Sequence, residues 1–217
     1  MIYESWVWKE RLQEELTAFK SIMDTIFRKP ADLSDEELDM HITRINSKIE
    51  QFIFLSAFMI RKLYEANKVS GELKSSNYPC IQYPRLEADV KVDYWNKHKI
   101  DRFYDLKNEN KSSLSIESFF NICIHSFIFE GVRDDNDVGW IGILANSDRY
   151  THKCLFFIGK DEIIKMINDV IEDEVVGIIS LRHEGKIYTT RYQGEKGQKS
   201  LNRQMGLREE KRGKTKQ

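Results

Sequence analysis

Residues 34–65, SDEELDMHITRINSKIEQFIFLSAFMIRKLYE, predict one long helix. Ser34 and Glu37 match a capping box. In this motif the serine hydroxyl accepts a hydrogen bond from the glutamate backbone amide, and the glutamate carboxylate accepts one from the serine backbone amide. The apolar residues that follow are spaced by four and three, which keeps them on one helical face. They are Leu38, Ile42, Ile45, Ile49 and Phe52. From residue 53 to 60 the sequence is apolar on almost every side, which indicates that the helix enters a core.

A second helix is predicted before this one, over about residues 3–27. Its apolar residues follow the same steps of four and three, at Leu12, Leu16, Phe19, Met23 and Ile26. Pro30 ends it, because proline disfavours helical geometry in the preceding residue and lacks a backbone donor. Two long helices with a short connection predict an antiparallel hairpin over residues 3–67.

Beyond residue 67 the predicted elements are shorter. Residues 68–113 predict an irregular connection with strands inside it, including an alternating stretch at 88–94. Residues 115–130, SIESFFNICIHSFIFE, predict a central apolar helix capped by Ser113 or Ser115. Residues 139–192 predict a small, mainly antiparallel sheet with a fourth helix. The fold class expected is α+β, with residues 1–193 forming a single domain.

The last segment, residues 194–217, has a different composition. It has eight Lys and Arg against three Glu and few apolar residues, which predicts a basic, flexible tail. Either it orders only against a partner, or it is an arm that touches RNA or an acidic partner through basic side chains. The candidate binding residues are Lys199, Arg203, Arg208, Lys211 and Arg212.

Composition bounds the class of protein. The chain has 217 residues, 41% of them hydrophobic, and a formal net charge of -1, so no overall field would hold it on nucleic acid or a membrane. No apolar stretch reaches the roughly 18 residues of a membrane span, and the first residues do not read as a secretory signal. Three widely spaced cysteines fit neither a disulfide framework nor a zinc site. We expect a cytoplasmic protein with no membrane association, no bound metal and no cofactor.

Common catalytic motifs are missing from the sequence, including GxGxxG, GxxxxGK[ST], HExxH and GxSxG. The most distinctive polar residues are Asn121 and His125, four apart within the apolar stretch. Such a pair shares a helical face and must be hydrogen-bonded or functional. Two hypotheses follow. The pair, with Ser126, ties the helix to irregular backbone, or His125 serves as an acid or base.

This segment resembles the signature of HEPN ribonuclease domains. In that family an Arg, usually followed by a polar residue such as Asn, precedes a His by a few positions on a helix of an all-α bundle. Asn121 and His125 match the Asn and the His, while Phe120 stands where the Arg is expected. The resemblance implies RNA cleavage without a metal ion, often across a dimer interface. It implies that His125 acts as acid or base and that Asn121 orients it. The strands predicted after Gly131 depart from an all-α bundle.

Another arginine is a candidate for the missing cation. Arg61 lies near the end of the long helix, where it could approach His125 and hold a phosphate. Alternatively, it forms a surface pair with Glu65 one turn later. A loop at Ser147, Asp148 and Arg149 follows a predicted strand, where functional loops often lie, although an ordinary turn is the simpler interpretation.

Two functions are therefore predicted. The first is binding of an unidentified macromolecular partner, with a homodimer through the exposed face of the hairpin. The aromatic cluster of Tyr3, Trp6 and Trp8 would fit a core or a dimer interface. The alternative is a metal-independent, HEPN-like ribonuclease of a toxin or defence system, with His125, Asn121 and Arg61 as its catalytic residues.

Overall fold

The computed structural model describes residues 4–26, 34–87, 91–134, 139–183 and 186–204. Its helices are α1 (Ser5–Ile26), α2 (Asp35–Glu65), α3 (Gly71–Ser75), α4 (Ile100–Phe103), α5 (Ile116–Ile124), α6 (Lys160–Glu172) and α7 (Gly194–Gln204). Its strands are β1 (Asn77–Pro84), β2 (Asn110–Ser115), β3 (Ser126–Arg133), β4 (Trp140–Ser147), β5 (Cys154–Gly159), β6 (Val175–His183) and β7 (Lys186–Gln193). The α+β class predicted from the sequence is confirmed.

Helices α1 and α2 form the predicted antiparallel hairpin. The capping box is present at the start of α2, where Ser34 Oγ accepts from the Glu37 amide and Glu37 Oε2 accepts from the Ser34 amide at 2.9 Å. Between the helices, Phe19 stacks on Phe52 with ring centroids 3.9 Å apart. Trp8 contacts Phe58 near the other end of the pair, which fixes the opposite chain directions.

Five antiparallel strands form the main sheet, in the order β2-β1-β5-β4-β3. Successive residues of β5 point to opposite faces, so Leu155 and Phe156 enter different cores. The larger core joins one face to the long hairpin, α5 and α6. The smaller core covers the other face with the segment around α4, including Phe103 and Tyr104. Strands β6 and β7 form a separate two-stranded sheet.

The predicted helix over residues 115–130 is wrong in its second half. Helix α5 ends at Ile124, and residues 126–133 form β3 instead. This stretch pairs with β4 along its whole length, so cross-strand hydrogen bonds replace the helical ones. An all-apolar sequence fits a helix or a buried strand equally well, which explains the error.

The strand predicted at residues 88–94 is also absent from the part of this stretch that the structure describes, residues 91–94. Residues 91–93 have no regular structure and residues 94–98 form a turn, while residues 88–90 lie outside the described residues. The strands inside the 68–113 connection are β1 and part of β2.

The segment predicted to be a flexible tail begins with a helix, α7. Gly194, with a φ of +53°, makes the bend out of β7, a conformation that glycine adopts at little cost. Helix α7 then packs on β6 and β7, and Gly197 lies against the backbone of Tyr192. Residues 205–217 lie outside the described residues. No helix among the described residues is long and apolar enough to cross a membrane.

Candidate active site

A surface pocket of about 530 Å³ lies where α2, α5 and the turn after β4 meet. Its lining includes two arginines, one histidine and one carboxylate. The lining residues are Arg61, Ser118, Asn121, Ile122, His125, Ser147, Asp148, Arg149 and Tyr150. The three candidate catalytic residues from the sequence, Arg61, Asn121 and His125, therefore share one pocket.

Strand register brings two distant parts of the sequence together at this pocket. Ser126, the first residue of β3, pairs with Ser147, the last residue of β4. In an antiparallel pair, the residue before one strand then faces the residue after the other. His125 is therefore opposite Asp148, and the turn that begins at Asp148 forms one wall of the pocket.

Arg61 has two partners at once. Its Nε donates to Glu65 Oε1 at 2.9 Å, and its Nη1 lies 3.5 Å from His125 Nε2. Because a guanidinium only donates, an imidazole that bonds to it must present an unprotonated Nε2. Hydrogen bonds from Lys62 and Arg61 lower the pKa of Glu65, so this carboxylate stays ionised at neutral pH.

His125 occupies the C-terminal cap of α5. Its backbone amide donates to the Asn121 carbonyl at 3.1 Å, which closes the last turn of the helix. Both side chains are exposed, and both line the pocket. A buried tie between α5 and the 68–113 connection, the structural hypothesis from the sequence, does not fit this exposure.

The turn after β4 supplies residues that the sequence did not assign to the same site as His125. Ser147, Asp148 and Arg149 belong to the loop singled out as a candidate, whereas Tyr150 and Ser118 carried no signal. The Arg149 guanidinium lies 6.0 Å from the centre of the Tyr150 ring. Only the pairing of β3 with β4 brings Arg149 and Tyr150 to His125, and a single sequence does not show that pairing.

Hydrogen bonds hold this turn in shape. The Tyr150 amide donates to the Ser147 carbonyl at 2.7 Å, and Thr151 Oγ1 donates to the Asp148 carbonyl at 2.8 Å. From the opposite face of the sheet, the buried Tyr104 hydroxyl donates to the Thr151 carbonyl at 3.0 Å. The turn thus connects with the smaller core, so Arg149 extends from a fixed backbone.

The pocket has the side chains that a phosphate diester needs. Arg61 and Arg149 provide hydrogen-bond donors with permanent positive charge, which favours a bound phosphate. The His125 imidazole and the Asn121 amide, one helical turn apart, can each donate or accept a hydrogen bond. Across the described residues, no group of three or more His, Cys, Asp or Glu is placed to hold a metal ion.

Two of the basic residues predicted to bind a partner lie among the described residues. Lys199 and Arg203 are exposed on α7, four residues apart and so on one helical face. Neither lines the pocket. Arg208, Lys211 and Arg212 lie outside the described residues.

Comparisons with protein-family models, with curated proteins and with solved structures found no match to this chain.

Proposed function

We propose that the pocket between α2, α5 and the β4–β5 turn binds and cleaves single-stranded RNA without a metal ion. The observation that supports this most is the pair of Arg61 and His125, 3.5 Å apart, exposed and lining one pocket. Arg149 adds a second cation to the same lining. A positioned imidazole beside guanidinium groups is an arrangement suited to phosphoryl transfer.

In the proposed reaction the RNA supplies its own nucleophile. The 2′-hydroxyl oxygen bonds to the adjacent phosphorus, and the bond from phosphorus to the 5′ oxygen breaks. His125 Nε2 accepts the proton of the 2′-hydroxyl, and the departing 5′ oxygen takes a proton from water. The products are a 2′,3′-cyclic phosphate and a 5′-hydroxyl. Arg61 and Arg149 offset the negative charge that develops on the phosphate oxygens.

The contact between Arg61 and His125 fits this scheme. A phosphate oxygen is a stronger acceptor for Arg61 Nη1 than a neutral imidazole nitrogen. Substrate binding would therefore draw Nη1 to the phosphate and free Nε2 to accept a proton. Glu65 would keep the other edge of the guanidinium in place during this exchange.

The experiment is a cleavage assay on labelled single-stranded RNA of mixed sequence in the presence of EDTA. The proposal predicts 2′,3′-cyclic phosphate ends, and DNA of the same sequence left intact because it lacks the nucleophile. Arg61→Ala should slow cleavage and His125→Ala should nearly abolish it, with melting temperatures near that of the parent. Absence of cleavage by the parent protein, or full activity of both variants, would show that the proposal is wrong.

Partner binding through the hairpin is a second proposal, and exposed apolar side chains on α2 favour it. Leu55 and Phe58 lie three residues apart and are 49% and 50% exposed, which is unusual for large apolar residues on one helical face. A second copy of this chain is the occupant expected from the sequence.

Leu55→Ser with Phe58→Ser should lower the mass measured by sedimentation. Met40→Ser, at an exposed position near the start of α2, should not. Equal masses for the parent and the double variant would contradict a dimer at this face.

A further inference from the structure

A second pocket lies beside the candidate active site, on the other side of the β4–β5 turn. Its volume is about 380 Å³, within the range of small-ligand sites. Its lining combines apolar and aromatic side chains with polar ones. The lining residues are Lys91, Val92, Asp93, Tyr94, Phe127, Asp148, Thr151 and His152.

Two aromatic rings dominate this pocket. Tyr94 and Phe127 meet edge to face with ring centroids 5.8 Å apart, and 77% of the Tyr94 surface is exposed. Lys97 lies over the Tyr94 ring, with Nζ 4.6 Å from its centroid, and donates to the Phe127 carbonyl at 3.4 Å. An exposed ring held by its neighbours is suited to stacking on a flat ligand.

The backbone under Tyr94 is ordered although its side chain is exposed. Asp93 Oδ1 accepts from the amides of Trp95 and Asn96, at 2.8 and 3.0 Å. The Asn96 side chain returns to donate to the Lys91 carbonyl at 3.0 Å. A planar ligand would therefore meet a preformed ring, with little entropy left to lose on that side.

Phe127 reaches this pocket because of an irregularity in β3. Ser126 pairs with Ser147 and Ile128 pairs with Asn146, so Phe127 is an extra residue in a β-bulge. Bulges redirect a side chain and are frequent next to functional sites. This bulge presents Phe127 to the segment that carries Tyr94.

The two pockets are neighbours. Asp148 lines both of them. His125 in the first pocket and Phe127 in the second are two residues apart, so their Cα atoms are at most about 7 Å from each other. This separation matches the size of one nucleotide, in which the base projects from the sugar beside the phosphate.

We infer that the second pocket binds an RNA base adjacent to the phosphate held by Arg61, with that base stacked on Tyr94 and in contact with Phe127. This inference rests on the proposed ribonuclease function and identifies the substrate as a strand with an unpaired base. His152 provides a hydrogen-bonding group for the edge of the base. Recognition by stacking is characteristic of single-stranded RNA, because bases within a duplex keep their faces covered.

The test measures binding of a fluorescent single-stranded RNA decamer to the full chain carrying His125→Ala, which under the proposal does not cleave it. Adding Tyr94→Ala should weaken binding about 5- to 150-fold, the range for loss of one stacked base. Tyr94→Phe should restore it, because the ring is retained. Trp95→Ala is the matched control, since Trp95 is 89% exposed and does not line the pocket.

A decamer of the same length without bases separates stacking from backbone binding. This probe should bind the chain with both His125→Ala and Tyr94→Ala as well as it binds the chain with His125→Ala alone. If the Tyr94→Ala and Trp95→Ala variants bind RNA equally, the inference that the second pocket binds a base is wrong. Cleavage by the wild-type chain would still support the ribonuclease function. If the wild-type chain neither binds nor cleaves RNA, both proposals are wrong.

Discussion

Arg61 shows how two alternatives drawn from a sequence can both describe one residue. A surface pair with Glu65 and an approach to His125 were separate hypotheses, and the guanidinium makes both contacts. Five N–H donors on a rigid plane allow this, since one edge can face Glu65 while the other faces the pocket. The pair with Glu65 then fixes the direction in which the other edge points.

Glu65 is therefore expected to be a positioning residue. Glu65→Ala should slow RNA cleavage, because Arg61 loses the anchor on its Nε edge. A double-mutant cycle tests whether the effect passes through Arg61. In an Arg61→Ala background, Glu65→Ala should change the rate little further. Equal effects of Glu65→Ala in both backgrounds would instead mean that Glu65 acts independently of Arg61.

The candidate site was partly predictable at the level of single residues. Asn121 and His125 attract notice because they are polar within an apolar sequence, and Arg61 is a candidate for the cation that the HEPN resemblance leaves missing. Arg149 stands out only as part of the loop after a predicted strand, and Tyr150 has ordinary surroundings in the sequence. Their place in the pocket depends on the pairing of Ser126 with Ser147, which is a property of the sheet.

Among the elements, the junction of α5 and β3 determines the geometry of the site. If the helix continued to residue 130 as predicted, His125 would lie inside it and β4 would lose β3 as its partner strand. Ending α5 at Ile124 puts His125 at a helix terminus and opposite Asp148. Hydrophobic periodicity does not locate this junction, because both sides of it are apolar.

Close packing of β4 on β5 provides a test of the sheet. A Cβ added at Gly142 would clash with the Ile158 carbonyl oxygen and would lie 2.8 Å from the Phe157 ring. Gly142→Ala should therefore lower the free energy of unfolding by about 1–3 kcal/mol, as overpacked sites do. Urea denaturation measures the change.

Gly159→Ala is the matched control, since a Cβ there meets no atom within 4 Å. Gly159 lies at the end of β5, in the same pair of strands, and has a φ of -66° that alanine adopts readily. Comparable losses of stability for both variants would argue against the register that pairs Gly142 with Gly159.

At the scale of the whole molecule, the α+β class and the helical hairpin follow from the sequence pattern. Steps of three and four over long stretches identify a helix reliably, and the capping box locates the start of α2. The sheet order β2-β1-β5-β4-β3 depends on long-range pairing that short apolar segments do not specify. The HEPN resemblance implies an all-α bundle, whereas this chain places Asn121 and His125 beside a five-stranded sheet.

Charge on α7 gives a further prediction for the whole chain. If RNA extends from the pocket to Lys199 and Arg203, replacing both by Ala should weaken binding and reduce its dependence on salt. Each phosphate of a single strand that a basic side chain neutralises adds about 0.7 to the slope of log K against log salt, so we expect the slope to fall by about 1.4. Lys20→Ala with Arg44→Ala, on the exposed faces of α1 and α2, is the control. An unchanged slope for the α7 variant would contradict a role for this helix in RNA binding.

The most direct measurement for the central claim is a comparison of RNA cleavage rates, in EDTA, for the wild-type chain, His125→Asn and His98→Asn. His98 is exposed but does not line the active-site pocket. His125→Asn should reduce the rate by about 100-fold or more, which is the contribution of a general base, while His98→Asn should cleave at the wild-type rate. Equal rates for all three proteins would contradict the assignment of His125 and, with it, the function proposed for the pocket.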